Sequence, residues 1–383
     1  MLLENKQVAI IGGGPGGLTL ARLLQLKGVP VKVYERDLNR EVRVQGATLD
    51  LHQGSGLKAM EKAGLMDAFK ATYRPGADKG RVVDEHAHIL FDEHDSIQDE
   101  DFSSETFRPE IDRGPLRDML LDSLEPGTVV WDSHFITMLQ VGDVWELTFK
   151  NGTTATADIV IGADGANSRI RPFVTAVQPF YSGVTIVQGN VDNAATVVPG
   201  IDQLLQGGKL YAFSGGKYLH VSAKGDGSLQ FYTSFRTAED WVRTIDFNDR
   251  AQVLAWFKEA FKEWDHIWLS LCENASLPLL PRPQYCIPAN LHWDALPNVT
   301  LLGDAAHIMP PSGEGVNLAM LDAVELSECL TNGVFNDMQT AIAAYEQSML
   351  ARGVEEARES LAMIEWMHGD DALAKMMQML QPA

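Results

Sequence analysis

Three clusters of residues in this sequence have the types and spacing to do chemistry, and each follows a short apolar run that breaks on glycine. In the first, Gly12, Gly14 and Gly17 fit G-x-G-x-x-G within "VAIIGGGPGGLTLARLLQLKG". The first glycine allows a tight turn, the second lets a pyrophosphate approach the backbone, and the third lets the next helix pack closely on its strand. Pro15 serves the same turn. A second apolar run, Val31-Lys32-Val33-Tyr34, ends in Glu35, where a carboxylate can accept hydrogen bonds from an adenosine ribose. This is dinucleotide chemistry, and NAD and FAD satisfy it equally.

The other two clusters are "ADGANSRIR", with Asp164, Gly165, Ser168 and Arg171, and "GDAAHIMPPSGEGVN", from Gly303 to Asn317. Asp304 can accept hydrogen bonds from a ribityl hydroxyl. Gly313 and Gly315 open a helix whose free N–H groups can face a pyrimidine carbonyl or a pyrophosphate. Val316, Ala319, Met320, Ala323 and Val324 give that helix a buried face. His307 reads as a structural turn residue rather than a base.

The elements that must position these clusters can be read from the pattern. Apolar runs at 8–11 and 159–161, and "NVTLL" before Gly303, are strands buried on both faces, as in a parallel sheet. "RGPLRDMLLDSL" and "DRAQVLAWFKEAFKEW" are helical, and Asn151-Gly152 supplies a hairpin turn. Between 180 and 275, "KLYAFSGG", "KYLHVSAKGDG" and "SLQFYTSF" alternate as strands of an antiparallel sheet. The Pro-rich "LPLLPRPQYCIP" reads as a crossing between units, and the chain is helical from Asp337 onward. Met363, Trp366 and Met367 on that helix read as core, and the acidic stretch from Asp92 to Asp101 as a solvated face.

The 383 residues carry a formal charge of −21, which argues against nucleic acid or an anionic membrane as partner. Cys272, Cys286 and Cys329 share no C-x-x-C spacing, so reduced thiols are expected and no metal site. The apolar N-terminal run lacks a basic flank, and a cytoplasmic, monomeric enzyme is expected.

Together the G-x-G-x-x-G with Glu35-Arg36, the D-G-x-x-S-x-x-R at Asp164 to Arg171, and the G-D-A-A-H at Gly303 to His307 resemble the group A flavin monooxygenases of the p-hydroxybenzoate hydroxylase type. Within that group, "YERD", "GATLDLHQGSGLKAMEKAGL", "GDAAHIMPP" and "GVN" most resemble the tetracycline-inactivating monooxygenases. The resemblance implies an α/β fold: a Rossmann-like FAD-binding domain (1–75, 103–178 and 278–335), an antiparallel substrate-binding sheet (76–102 and 179–277) and a bridging C-terminal helix (336–383). It implies non-covalent FAD, with NADPH and O₂ as co-substrates and an aromatic or polycyclic small molecule as substrate. Glu35 and Arg36 would hold the adenosine, while Asp50, Arg117 and Asp304 would contact FAD. Pro311, Gly315, Val316 and Asn317 would line the flavin, and Arg43 would meet NADPH. No side chain is assigned as catalytic, because the cofactor carries the difficult step. The substrate candidates are Gln188, Lys209, Tyr211, His220, Gln230 and Tyr232. Gln188 matches the pattern, whereas Lys209 replaces an arginine, and Ser222 and Gln230 replace an asparagine and a histidine.

Overall fold

The computed structural model describes residues 2–42, 48–96, 100–104 and 106–380. Arg43 lies outside them. Five parallel strands form the first sheet, in the order Val299–Leu301, Ile159–Gly162, Val8–Ile11, Val31–Tyr34 and Val129–Val130. Strands Val8–Ile11 and Ile159–Gly162 consist almost wholly of Val, Ile and Ala, and they and Val299–Leu301 are buried along their length. Helix Pro15–Gln25 leaves the first of these strands, with Pro15 in its first turn, and packs Leu18, Leu20, Ala21 and Leu24 into the core.

A seven-stranded sheet forms the second layer. Its order is Leu280–Cys286, Phe180–Val191, Leu229–Arg236, Lys217–Ala223, Lys209–Ser214, Gly80–Val83 and Ile89–Asp92. Alternation sorts its side chains onto two faces. The back face presents Leu210, Leu219, Val221, Leu229 and Phe231 to helices Pro199–Leu205 and Arg250–Ala260, which contribute Ile201, Leu205, Val253 and Phe257. The front face carries the polar and aromatic residues described below.

Three expectations need correction. The sheet is mixed, because Lys209–Ser214 pairs parallel with Gly80–Val83. The Pro-rich segment is an edge strand of this sheet, aligned antiparallel with Phe180–Val191. Proline is tolerated at an edge because the missing N–H costs no inner ladder bond. The C-terminal region is two helices, Met338–Met367 and Ala372–Leu380, with His368 ending the first. The second helix lies against the sheet through Phe213, Tyr218 and Val82, and Met367 and Trp366 join that cluster. None of the helices among the described residues is long and apolar enough to cross a membrane.

Candidate functional site

The strand order brings the three clusters together. Gly12, Asp164 and Asp304 each lie just beyond the C-terminal end of one of three adjacent parallel strands, the edge where open α/β sheets bind ligands. At Gly12 (φ +112°) an added Cβ would lie 2.3 Å from the Ala163 carbonyl oxygen, and at Gly17 the same distance from that of Gly12. The protein's own packing therefore demands glycine at both positions. At Gly14 a Cβ would meet no protein atom within 4 Å, so this part of the loop borders open space.

Glu35 is buried, and its carboxylate accepts the Gly13 N–H at 2.6 Å and the Asp37 N–H at 3.0 Å. It fastens the glycine loop to the second strand, a task the sequence reading missed. Arg36 is exposed beside it. The Arg117 guanidinium donates to the Arg40 carbonyl at 2.9 Å and to Asp37 Oδ2 at 3.2 Å, and stacks over Trp131.

The second cluster braces the third. Asp164 Oδ2 accepts the Arg169 N–H at 2.7 Å, while its Oδ1 is buried with no hydrogen-bond partner among the described residues. Arg171 donates to the carbonyls of Ala305 (2.7 Å) and Asp304 (2.8 Å). The Asp304 side chain touches solvent between buried Gly303 and Ala305, yet enough protein surrounds it that burial raises its pKa. The exposed carboxylate lies close to Gly315, where an added Cβ would be 4.0 Å from Asp304 Oδ1. Helix Gly315–Thr331 starts nearby, and its first N–H groups, from Gly315 to Asn317, have no intrahelical acceptor. Val316 is half-buried and Pro311 exposed.

The Asn317 side chain is a clamp. Its amide donates to the Asp50 carbonyl at 3.0 Å, and its Oδ1 accepts from the N–H groups of His52 (2.9 Å) and Gly56 (3.2 Å). Its backbone N–H takes no part in this clamp. Asp50 Oδ2 holds His52 Nε2 at 2.9 Å, and Glu314 Oε2 lies 3.2 Å from His52 Nδ1. Burial disfavours the His52 charge, but the two carboxylates prevail and push its pKa up to about 9. His307 has the structural role expected of it: its Nε2 lies 2.6 Å from Asp322 Oδ2, and Asp322 also accepts from Arg352 at 2.8 Å.

All six substrate candidates lie on the front face of the seven-stranded sheet. The register places Lys209, Ser222 and Gln230 in one cross-strand row and Tyr211, His220, Tyr232 and Gln188 in the next. Their environments differ. Lys209 Nζ is paired with buried Glu110 Oε1 at 2.7 Å, and that carboxylate raises the ammonium pKa against the effect of burial. Gln230 has no exposed surface; its Oε1 accepts the Tyr232 hydroxyl at 2.7 Å, and among the described residues its Nε2 has no partner, nor has Ser222 Oγ. Gln188 Oε1 accepts from Arg282 at 2.6 Å. Tyr211, His220 and Tyr232 are half-buried, with ring centroids 4.4 Å and 6.0 Å apart along the row. Sequence reasoning missed Glu110 and His52. The acidic residue of "RPEID" carries no local mark of its partner 99 positions away.

Comparison with known proteins now separates the two dinucleotides. The family profile for the FAD binding domain matches residues 5–209 and 296–363, most of the chain. The chain belongs to the FAD-binding-domain family. It is 28% identical to monooxygenase penA of Penicillium thymicola, over 85% of this chain and 84% of that one. It is 29% identical to the 3-amino-4-hydroxybenzoate 2-monooxygenase of Streptomyces cremeus, over 97% and 90%. The crystal structure of tetracycline destructase Tet(51) shares the fold, with a TM-score of 0.74 at 19% identity over 98% of this chain and 96% of that one. These relationships place the chain among the flavin-dependent monooxygenases. Its residues fit the cofactor: open space at Gly14, an Asp164 oxygen without a partner among the described residues, an exposed acceptor at Asp304 and the first N–H groups of helix Gly315–Thr331 lie beyond the C-terminal ends of adjacent parallel strands.

Proposed function

We propose that the protein hydroxylates a polycyclic phenol or enol, with tetracycline-type antibiotics as the foremost candidates, at the expense of NADPH and O₂. The chemistry supplied by bound FAD is the two-electron reduction of O₂ by NADPH, one oxygen atom entering a C–H bond of the substrate and the other leaving as water. The observation that carries the reading is the row Tyr211, His220 and Tyr232, a broad aromatic surface on the front face. A flat multi-ring substrate gains contact area along such a row, and its enolised rings offer an electron-rich carbon.

The chain's own residues bind, orient and exclude water. The glycine loop and the N–H groups at Gly315 to Asn317 would hold the pyrophosphate and the flavin ring. Asp304 would hold the ribityl chain, and Glu35 with Arg36 the adenosine. Asp50, Arg117, Asp164 and Pro311 complete the proposed cofactor contacts. Arg43 would meet the phosphates of NADPH. Arg43→Ala should then slow flavin reduction in stopped-flow measurements while FAD stays bound.

The test is mass spectrometry for products one oxygen heavier, with NADPH and O₂ present, across tetracyclines and smaller phenols. Tetracyclines should be oxidised, but roughly tenfold more weakly bound than where an arginine replaces Lys209, because an ammonium lacks the planar fork. Intact tetracyclines alongside an oxidised smaller phenol would overturn the substrate and leave the enzyme class standing.

A further inference from the structure

We propose that His220 selects the substrate: its Nε2 is a hydrogen-bond acceptor at the centre of the front face, so the seat takes an uncharged planar molecule that donates an O–H, in preference to an ether or a carboxylate. The proposal rests on the monooxygenase reading above and specifies what that site recognises.

The tautomer follows from geometry. His220 Nδ1 lies 3.1 Å from the Leu210 carbonyl oxygen, which can only accept, so Nδ1 carries the proton. Nε2 is then a lone-pair acceptor with no hydrogen-bond partner among the described residues. The ring is fixed on both sides, 4.4 Å from Tyr211 and 6.0 Å from Tyr232, the latter inclined by only 9°. It remains neutral, because burial and the nearby Lys209 charge push its pKa down to about 3. A group this weakly basic holds a donor without taking its proton.

Two neighbouring amide oxygens on this face are already engaged. Gln230 Oε1 takes the Tyr232 hydroxyl and Gln188 Oε1 takes Arg282, whereas His220 Nε2 is an acceptor that no described residue engages. The ammonium in the adjacent row, Lys209, is bound by Glu110, so an aromatic carboxylate would have to displace a buried partner to reach it. A site built to hydrogen-bond a hydroxyl rejects the analogue lacking it, because its buried polar group is left unpaired.

The experiment uses the FAD-loaded protein and three probes: 2-naphthol, 2-methoxynaphthalene and 2-naphthoate. Binding is read from the change in flavin absorbance. 2-Naphthol should bind at least tenfold tighter than either of the others. His220→Phe keeps an aromatic ring between the tyrosines and should reduce the preference over the ether to less than threefold. ¹⁵N NMR of histidine-labelled protein, with His220 assigned through the His220→Phe variant, should show a neutral ring protonated at Nδ1. Its Nε2 signal should move on adding 2-naphthol and stay on adding the ether. The proposal is overturned by a preference that survives His220→Phe, by naphthoate binding tightest, by no probe binding, or by an Nε2-protonated ring. The two readings fail separately. Oxygenated product with a preference untouched by His220→Phe removes only the role of His220. A preference abolished by His220→Phe without any O₂-dependent NADPH oxidation removes only the oxygenation.

Discussion

Glu35 and Asp304 are acidic residues just past the ends of parallel strands, and the fold gives them different work. Glu35 is consumed in part by the amides of Gly13 and Asp37, whereas the Asp304 carboxylate makes no hydrogen bond among the described residues and is exposed. Asp304→Ala should therefore weaken FAD retention by on the order of 1–3 kcal/mol, the cost of leaving a buried hydroxyl of the ligand unpaired. Gel filtration followed by flavin absorbance measures the retained fraction, with exposed Asp143→Ala as control. Equal occupancy in both variants would remove Asp304 from the cofactor contacts. Glu110→Gln should cost stability through the stranded Lys209. The loss should be about 1–2 kcal/mol, below the ~3–5 kcal/mol of a fully buried pair, since the Lys209 side chain is 23% exposed. Urea unfolding measures it, and no change would mean the pair is replaced by water.

At the scale of elements, the long helix Met338–Met367 reaches the third cluster through Gly353. A Cβ there would lie 2.7 Å from His307 Cβ. Gly353→Ala should push the helix off the turn and destabilise the protein by about 1–3 kcal/mol, even though alanine is the better helix former. A raised melting temperature would show that the contact relaxes freely. The same contact carries a pH dependence. Against burial, Asp322 raises the His307 pKa above 6.5; against burial, His307 lowers that of Asp322 below 3.8. The histidine's share is complete below pH 6.5 and is lost as pH rises through its folded pKa. The aspartate's share is present above 3.8 and is lost as pH falls through its folded pKa. The stability difference between wild type and His307→Gln should hence be larger at pH 6 than at pH 9, by urea unfolding. An identical difference at both would rule out the ion pair as its cause.

Across the whole molecule, the candidate site is assembled from three distant parts of the chain, joined by sheet pairing and by tertiary contacts such as Arg171 to the Asp304 carbonyl. A ligand bridging all three stabilises the assembled state over the unfolded chain. The purified protein should be yellow, with FAD released on denaturation. Removing FAD should lower the melting temperature, and restoring it at about a hundred times its Kd should return roughly 2.7 kcal/mol, or several degrees. Differential scanning fluorimetry decides it; bound FAD without any shift would mean that the flavin sits on one segment alone.

Legibility in the sequence followed the range of the forces involved. The turns at Gly12 and Gly17, the apolar parallel strands and the alternation along each antiparallel strand all arise within a few residues, so the sequence alone determined them. Alternation puts Lys209 and Tyr211 on one face of their own strand, and the cross-strand register adds His220 and Tyr232 to it. What each of those residues does was decided by tertiary structure. Lys209 is held by Glu110, Asn317 clamps a segment 265 positions earlier in the chain, and the proline-rich strand finds an edge it can occupy. A charge, an amide or an extended proline segment is compatible with many partners. Only the folded chain brings one of them within hydrogen-bonding distance.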